Sequence, residues 1–348
     1  GQMKGKDLKD FEATAMMFSG TSNPGLAESI AEFAGVKISP LKSKRFSDGE
    51  VSIQVLESVR GKNVYLVQPV CRSNDGSVND ALVELLLLIS TLRRASANTI
   101  SALIPYYGYA RQDRKMKSRV PISASDVARL ITSMGVDRVV AVDLHCGQIQ
   151  GFFSCNTPVD NLYVESYFIK YIEDNIIKKN ELKDIIIVSP DEGAVKRAVR
   201  ISNKLGTGMN MIYKERNAPG EISKMVLMGN VENKICIMVD DMIDSAGTAC
   251  KAATVLKEYG AKEIYMLACH GILSGNAIEK IHNSCFDRVI VSNTLNQERH
   301  SNKINELKCN KIVTIDVSWM CGEAIRRSLH GESLKELYDR TDKSSNIE

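Results

Sequence analysis

The sequence predicts an α/β protein with two domains, each a roughly five-stranded, mainly parallel sheet flanked by helices. Ten short runs of β-branched and apolar residues alternate with amphipathic stretches along the 348 residues. Runs that are apolar on both faces are typical of strands buried in a parallel sheet, and the alternation indicates right-handed crossovers. Ten strands are too many for one compact sheet of this length, so two sheets are expected.

The ten predicted strands cover residues 15–18, 64–70, 100–105, 139–142, 185–188, 211–213, 235–239, 264–268, 289–291 and 312–317. The predicted helices cover residues 25–34, 78–95, 123–133, 163–176, 193–204, 248–259 and 320–329. The domain division is expected near residue 160, which gives one domain over residues 12–163 and another over 164–340. Ligands of open parallel sheets bind beyond the carboxyl ends of the strands, so the turns at those ends are the candidate sites.

Composition excludes several classes of function. The net charge of +3 is too small to predict binding to nucleic acid or to a membrane surface. No apolar run is as long as a membrane span. The nine cysteines form no C-x-x-C pair. Their odd number, without a recognisable signal peptide, favours a reducing compartment and so a cytoplasmic location.

The turn after the run at 235–239 carries the clearest chemical pattern. Acidic residues end the strand, and small and hydroxyl residues open a helix; these residues are Asp240, Asp241, Asp244, Ser245, Ala246, Gly247 and Thr248. Backbone N–H groups at a helix start bind phosphate, and carboxylates bind sugar hydroxyls or a metal. A simple helix cap would explain Asp244 or Ser245 but not the two acids before them. The pattern therefore favours a sugar phosphate.

Three other turns also carry polar residues at predicted strand ends. Five cations crowd into residues 111–119 beside three tyrosines, which favours a nucleotide phosphate or base over a merely solvated face. Asp143 and His145 follow a third strand, where a polar site is the better interpretation of the histidine. Residues 189–194 follow a fourth strand. Lys214 and Arg216 alternate just past a short strand and so could converge on one ligand, although an exposed ion-pair turn is equally consistent with that pair alone.

Taken together, these stretches resemble the ribose-phosphate diphosphokinases, or phosphoribosyl diphosphate synthetases, over roughly residues 14–340. Further matching segments lie at 45–50, 57–61, 158–163, 323–327 and 331–333. The resemblance implies two domains of the type I phosphoribosyltransferase fold, the first on the ATP side and the second on the ribose 5-phosphate side. It also implies an enzyme of nucleotide biosynthesis that transfers the β,γ-diphosphate of Mg-ATP to the C1 hydroxyl of ribose 5-phosphate, giving phosphoribosyl diphosphate and AMP.

The resemblance also implies residue roles. ATP would be bound by Phe46, Asp48, Glu50, Arg111, Gln112 and Asp113, some of them from a neighbouring subunit. Mg²⁺ would be held by Asp143, His145, Asp160 and Asp191. Catalysis would depend on His145 and, on a mobile loop, Lys214 and Arg216. Residues 240, 241 and 244–248 would bind ribose 5-phosphate.

Regulation and assembly are implied in the same way. In the phosphate-activated class, inorganic phosphate activates and ADP inhibits at a site between subunits of a hexamer built from dimers. The matching residues are Ser58, Arg60, Lys115 and Ser118. The sequence departs from the family pattern at Glu192 and Ala194 and in the longer stretch 154–157. These departures leave open a non-catalytic regulatory homologue, and the 240–248 turn alone is also compatible with a salvage phosphoribosyltransferase.

Overall fold

The computed structural model describes residues 14–215 and 224–335 together with Leu337. The chain divides into two compact units. Of the described residues, the first unit contains those up to Tyr163, a short stretch at 294–296 and those from Val317 to Leu337. The second contains Val164–Asn293 and Gln297–Asp316. Residues 317–335 therefore belong to the first unit, whereas the sequence-based division placed them in the second domain.

The first unit is built on a five-stranded parallel sheet. Its elements in chain order are β1 (Ala15–Ser19), α1 (Pro24–Ala34), β2 (Leu41–Arg45), β3 (Val51–Val55), β4 (Asn63–Val67), α2 (Val78–Arg94), β5 (Thr99–Ile104), α3 (Ser123–Ser133), β6 (Arg138–Val142) and β7 (Val159–Leu162). The strand order is β1-β4-β5-β6-β7, and β2 and β3 form a separate antiparallel hairpin. Fully buried Phe18, Leu66 and Leu85 lie in the core between sheet and helices. Each such side chain contributes about 1.5–3 kcal/mol.

The second unit contains a larger, mixed sheet. Its elements are α4 (Glu165–Asn175), β8 (Ile185–Ser189), α5 (Val195–Leu205), β9 (Gly208–Glu215), β10 (Lys224–Met228), β11 (Ile235–Ile243), α6 (Gly247–Glu258), β12 (Glu263–Gly271), α7 (Ala277–His282), β13 (Arg288–Ser292), α8 (Ser301–Leu307) and β14 (Ile312–Ile315). The strand order is β10-β9-β8-β11-β12-β13-β14, and only β10 runs antiparallel to its neighbour.

The expected five strands in the second sheet are corrected to seven. The ten predicted runs divide four and six between the units, and each sheet gains one strand that the apolar pattern did not reveal. β7 carries Asp160 and Asn161, and β10 is a half-exposed edge strand, so neither is a continuous buried run. The prediction of α/β architecture with mainly parallel sheets flanked by helices is confirmed.

The last helix, α9 (Ser318–Leu329), completes the first unit by packing on α1. A Cβ atom on Gly322 would lie 2.6 Å from Cβ of Phe33 and 2.9 Å from the carbonyl oxygen of Ile30. Only glycine permits the two helices to approach so closely. Arg138 at the start of β6 adds a hydrogen bond to Ser328 on α9, at 3.1 Å.

No helix in the described ranges combines the length and the apolar character needed to cross a membrane.

Candidate functional site

In the second unit, the predicted phosphate loop joins β11 to α6. β11 runs to Ile243, so Asp240 and Asp241 lie in its second half rather than beyond it, because parallel pairing with β12 continues as far as Ile243 and Gly271. Ala246 then takes a left-handed conformation with φ of 66°, and α6 begins at Gly247. The side chain of Ala246 offers no cap to α6. This leaves first-turn N–H groups oriented for an anion.

The segment after β12 supports this loop from one side. The N–H of Ile272 donates to the carbonyl oxygen of Ile243 at 2.9 Å, and that of Ser274 donates to the carbonyl oxygen of Asp244 at 3.2 Å. The start of the phosphate loop is therefore fixed by backbone hydrogen bonds that do not depend on side-chain identity.

Three carboxylates lie near one another at the carboxyl end of this sheet. Burial raises the pKa of Asp240 well above its ordinary value, and the neighbouring charges of Asp241 and Asp191 raise it further. The N–H of Asp241 donates to Oδ1 of Asp240 at 2.8 Å, which only partly offsets that effect. Mutual repulsion of this kind is relieved by a bound cation.

Asp191 caps the short turn that follows β8. Its Oδ1 accepts a hydrogen bond from the N–H of Ala194 at 3.1 Å, and its carbonyl oxygen accepts one from the hydroxyl of Ser189 at 2.6 Å. The two residues of this turn that depart from the family pattern differ in exposure: Ala194 is buried and Glu192 is exposed. The extra negative charge of Glu192 therefore lies in solvent, where screening weakens it.

Lys214 lies in a strand rather than just past one. β9 extends to Glu215, and Lys214 is paired with Met225 of β10. The apolar pattern ends at Tyr213, but antiparallel pairing with β10 satisfies the backbone for two further residues. Lys214 itself is exposed. Arg216 and most of the expected loop at 214–222 lie outside the described residues.

In the first unit, the segment between β5 and α3 is held at several points. The hydroxyl of Tyr107 donates to the carbonyl oxygen of Ala124 at 2.9 Å, and its ring packs edge-on against Phe153 with centroids 6.1 Å apart. Gln112 accepts a hydrogen bond from Ser123 through its side chain, and its carbonyl oxygen accepts another from Ala124. The segment is therefore anchored at its two ends. Between these ends it presents five exposed cations: Arg111, Arg114, Lys115, Lys117 and Arg119.

The turn after β6 lies beside that segment. The carboxylate of Asp113 accepts a hydrogen bond from the thiol of Cys146; burial and this contact together raise the thiol's pKa. Two predicted parts of the ATP side, Asp113 and the 143–145 turn, are thus neighbours. Cys146 was missed by sequence reasoning, because its role as a contact is visible only once the two strand ends are adjacent.

The turn itself has a strained backbone. Asp143 is left-handed, with φ of 42°, and only 1% of its surface is exposed. Its N–H donates to the carbonyl oxygen of Leu162 at 2.7 Å, and the N–H of Leu144 donates to Oδ1 of Asn161 at 3.0 Å. His145 is exposed at the end of this turn. Strained residues held this firmly concentrate at functional sites.

Asp160 makes an ion pair within the sheet, and its expected metal role stays a prediction. Its Oδ2 lies 3.2 Å from Nε of Arg138, the first residue of β6, so the carboxylate is paired with a cation of the same sheet. Successive side chains of a strand point to opposite faces, and it is Asn161 that reaches the 143–145 turn.

The hairpin of β2 and β3 presents Phe46, Asp48 and Glu50 on an exposed turn. Phe46 is 55% exposed, and the turn is closed by a hydrogen bond from its N–H to the carbonyl oxygen of Glu50, at 2.8 Å. At the base of the turn, Arg45 forms an ion pair of 3.2 Å with Asp75 and one of 3.1 Å with Asp80. The second joins the hairpin to the first turn of α2.

A buried carboxylate supports the same hairpin from below. Glu84 of α2 is 4% exposed and accepts hydrogen bonds from Ser43 at 2.9 Å, from the Thr21 hydroxyl at 2.6 Å and from Gln68 at 2.9 Å. Beside this network, a pocket is lined by residues of the hairpin, of the turn after β1 and of the start of α2. The polar groups in the pocket therefore fix the hairpin on the first unit.

The four residues expected to bind regulatory phosphate, Ser58, Arg60, Lys115 and Ser118, are all exposed on the first unit. Exposure is required of residues that would meet a ligand between subunits. It does not by itself distinguish them from an ordinary solvated surface.

Across the described parts of the chain, no three His, Cys, Asp or Glu side chains are arranged to hold a metal ion by themselves. Mg²⁺, however, is commonly bound through one or two carboxylates together with substrate phosphates and water. The repelling carboxylates of Asp240 and Asp241 are donors of that kind. The residues present therefore fit an ion that is shared with a phosphorylated substrate.

Comparison with known proteins decides the family. A family profile described as the N-terminal domain of ribose phosphate pyrophosphokinase matches residues 15–135, and one described as the phosphoribosyl synthetase-associated domain matches residues 217–339. Curated ribose-phosphate pyrophosphokinases from two strains of Helicobacter pylori are each 43% identical over 336 residues, covering 97% of this chain and 100% of the relative. The chain belongs to the ribose-phosphate pyrophosphokinase family.

A solved member of this pyrophosphokinase family has the same architecture. The crystal structure of phosphoribosylpyrophosphate synthetase from Mycobacterium smegmatis matches with a TM-score of 0.81 at 34% identity, covering 91% of this chain and 99% of that one. Because nearly the whole of both chains is matched, the likeness extends over both units rather than over a shared phosphate loop.

Proposed function

We propose that this chain transfers the β,γ-diphosphate of Mg-ATP to the C1 hydroxyl of ribose 5-phosphate, giving phosphoribosyl diphosphate and AMP. The observation that carries the proposal is the full-length match to ribose-phosphate pyrophosphokinases, at 43% identity over 97% of this chain. The turn at 240–248 supports it, since acids at the end of a strand and an uncapped helix start suit a sugar with a terminal phosphate.

The ribose 5-phosphate side of the proposal lies on the second unit. The N–H groups around Gly247 and Thr248 bind the 5-phosphate, with Ser245, Ala246 and Asp244 forming the cradle. Asp240 and Asp241 accept hydrogen bonds from the ribose hydroxyls. This arrangement fixes the sugar so that its C1 hydroxyl is presented to the β-phosphorus, and positioning supplies much of the rate in such transfers.

The ATP side of the proposal lies on the first unit. Phe46, Asp48 and Glu50 contact the adenine, and Asp48 and Glu50 act on the site of a neighbouring subunit. Arg111, Gln112 and Asp113 bind the nucleotide. His145 contacts the triphosphate and, with Asp143, Asp160 and Asp191, belongs to the metal-binding set. Bound Mg²⁺ supplies charge neutralisation to the phosphate oxygens.

Lys214 and Arg216 are proposed to offset the charge that develops on the β-phosphoryl group during transfer. Lys214 is exposed on β9, next to the segment where the expected catalytic loop begins. In-line transfer at phosphorus requires no covalent enzyme intermediate, so these residues act by charge and position.

Three further properties belong to the same proposal. Inorganic phosphate activates and ADP inhibits through Ser58, Arg60, Lys115 and Ser118. The chain assembles as a hexamer built from dimers, for which exposed apolar residues on α2, Val83 and Leu87, offer surface to bury. The protein is cytoplasmic, which agrees with its nine free cysteines.

The deciding experiment incubates the protein with Mg-ATP and ribose 5-phosphate and detects AMP and phosphoribosyl diphosphate together. We expect equal amounts of both products, and more of each when inorganic phosphate is added. Absence of both products would favour a non-catalytic regulatory homologue. Release of pyrophosphate from phosphoribosyl diphosphate and a free base would instead indicate a salvage phosphoribosyltransferase.

A further inference from the structure

The turn that carries Asp143 and His145 depends on β7 for its shape. Asp143 has a left-handed backbone at φ of 42°, and Leu144 beside it is 7% exposed. A conformation of this kind costs free energy and persists only where the surrounding structure fixes it. The identity of the groups that fix it therefore matters for the site.

Two hydrogen bonds from β7 hold successive residues of this turn. The first runs from the N–H of Asp143 to the carbonyl oxygen of Leu162 and would form with any residue at position 162. The second runs from the N–H of Leu144 to Oδ1 of Asn161, at 3.0 Å, and requires that side chain. Without it, the buried N–H of Leu144 would lose this partner, which a folded chain avoids.

The Asn161 amide is itself held in place. Its Nδ2 donates to the hydroxyl of Tyr163 at 3.1 Å, and the residue is 6% exposed. The side chain of its neighbour Asp160 forms an ion pair with Arg138. The hydrogen bond from Nδ2 to Tyr163 therefore orients the amide so that its oxygen faces the N–H of Leu144.

We propose that Asn161 is a positioning residue for the diphosphate transfer: its amide oxygen fixes the backbone of Leu144 and so sets the placement of Asp143 and His145. The inference rests on the proposed function, because the roles of those two residues belong to it. Asn161 acts through the turn and does not touch the reacting atoms.

Substitution of Asn161 by leucine tests the proposal with two readouts. Asn161→Leu keeps the size of the side chain but removes the acceptor. We expect backbone hydrogen exchange at residues 143–147, measured by mass spectrometry on the protein without substrates, to accelerate about tenfold, the upper range for one lost hydrogen bond. We expect kcat to fall at least about tenfold, with KM for ribose 5-phosphate changed less than about twofold.

Three companion variants make the result specific. Asn161→Asp keeps an acceptor of the same length and should retain slow exchange at 143–147. Asp160→Asn alters the adjacent residue of β7, whose side chain pairs with Arg138, and should leave exchange there unchanged. If Asn161→Leu does not fold, Tyr163→Phe removes the group that orients the amide and should accelerate exchange about threefold.

Unchanged exchange at 143–147 in Asn161→Leu, or faster exchange with an unchanged kcat, would overturn the proposal. The variant His145→Ala distinguishes failure of the Asn161 proposal from failure of the proposed function. Full activity of His145→Ala would refute the assigned role of the turn, while the exchange measurement would still report whether Asn161 holds it.

Discussion

Acid should destabilise the second unit through one buried histidine, His300. This residue precedes α8, is 6% exposed and interacts with the backbone of Ile272, in the segment that supports the phosphate loop. Burial lowers the pKa of His300 from 6.5 to about 4, and the nearby charge of Arg299 acts in the same direction. The neutral ring is therefore the form that the fold accepts.

The sign of the effect follows from linkage. Below pH 6.5 the unfolded chain binds a proton at this histidine while the folded protein does not, so stability falls with falling pH until about pH 4. Between pH 7 and pH 5 these two pKa values give a loss of about 2 kcal/mol from this one residue.

Urea unfolding at pH 7 and pH 5 measures this loss. His300→Gln keeps a hydrogen-bond donor but cannot titrate, so its unfolding free energy should change less between the two pH values than that of the parent, by about 2 kcal/mol. His330→Gln serves as the control histidine. Equal pH dependence of the parent and His300→Gln would refute the reasoning.

Three further outcomes are expected. Lys214→Ala should lower kcat by at least about 10²-fold, because a preorganised charge next to the migrating group is lost; steady-state kinetics measures this. Gly322→Ala should lower the free energy of unfolding by about 1 kcal/mol in a urea titration, since overpacking costs more than the gain in helix propensity. Arg45→Met should raise KM for ATP about threefold and leave KM for ribose 5-phosphate unchanged, because it removes both ion pairs that hold the hairpin, and solvent-accessible pairs contribute only about 0.2–1 kcal/mol.

Matched variants control these measurements. Lys224→Ala removes a cation from β10, opposite Glu215, and should keep kcat within about threefold. A Cβ atom on Gly151 meets nothing within 4 Å, so Gly151→Ala should not show a clash. Lys44→Met changes an exposed neighbour of Arg45 and should leave KM for ATP unchanged. If a control variant changes the measured quantity as much as the variant that it is matched to, the corresponding prediction is contradicted.

Buried strands were the most predictable part of this fold. All ten predicted apolar runs overlap strands, because burial in a parallel sheet leaves a nearly unbroken apolar signal. Four strands were missed: polar residues interrupt β2, β3 and β7, and solvent faces the edge strand β10. The polar turns were placed correctly at strand ends, yet the extent of β9 and β11 beyond their apolar parts depends on partner strands far along the chain.

The residue contacts were harder to foresee. That Asp160 pairs with Arg138 while Asn161 supports the 143–145 turn depends on which face of β7 each side chain occupies. The contact between Asp113 and Cys146 depends on two strands that are neighbours in the sheet but separated by a helix in sequence. Motifs therefore identified where chemistry occurs, and the structure was needed to find what holds those groups in place.

The packing of α9 on α1 bears on how the chain matures during synthesis. Every described element of the second unit precedes residue 317, so all of them leave the ribosome before the closing helix does. The first unit is made earlier but must wait with the Phe33 side of α1 uncovered until Gly322 has left the exit tunnel. A message truncated before that codon would yield a protein whose earlier half, rather than its later half, is the incomplete one.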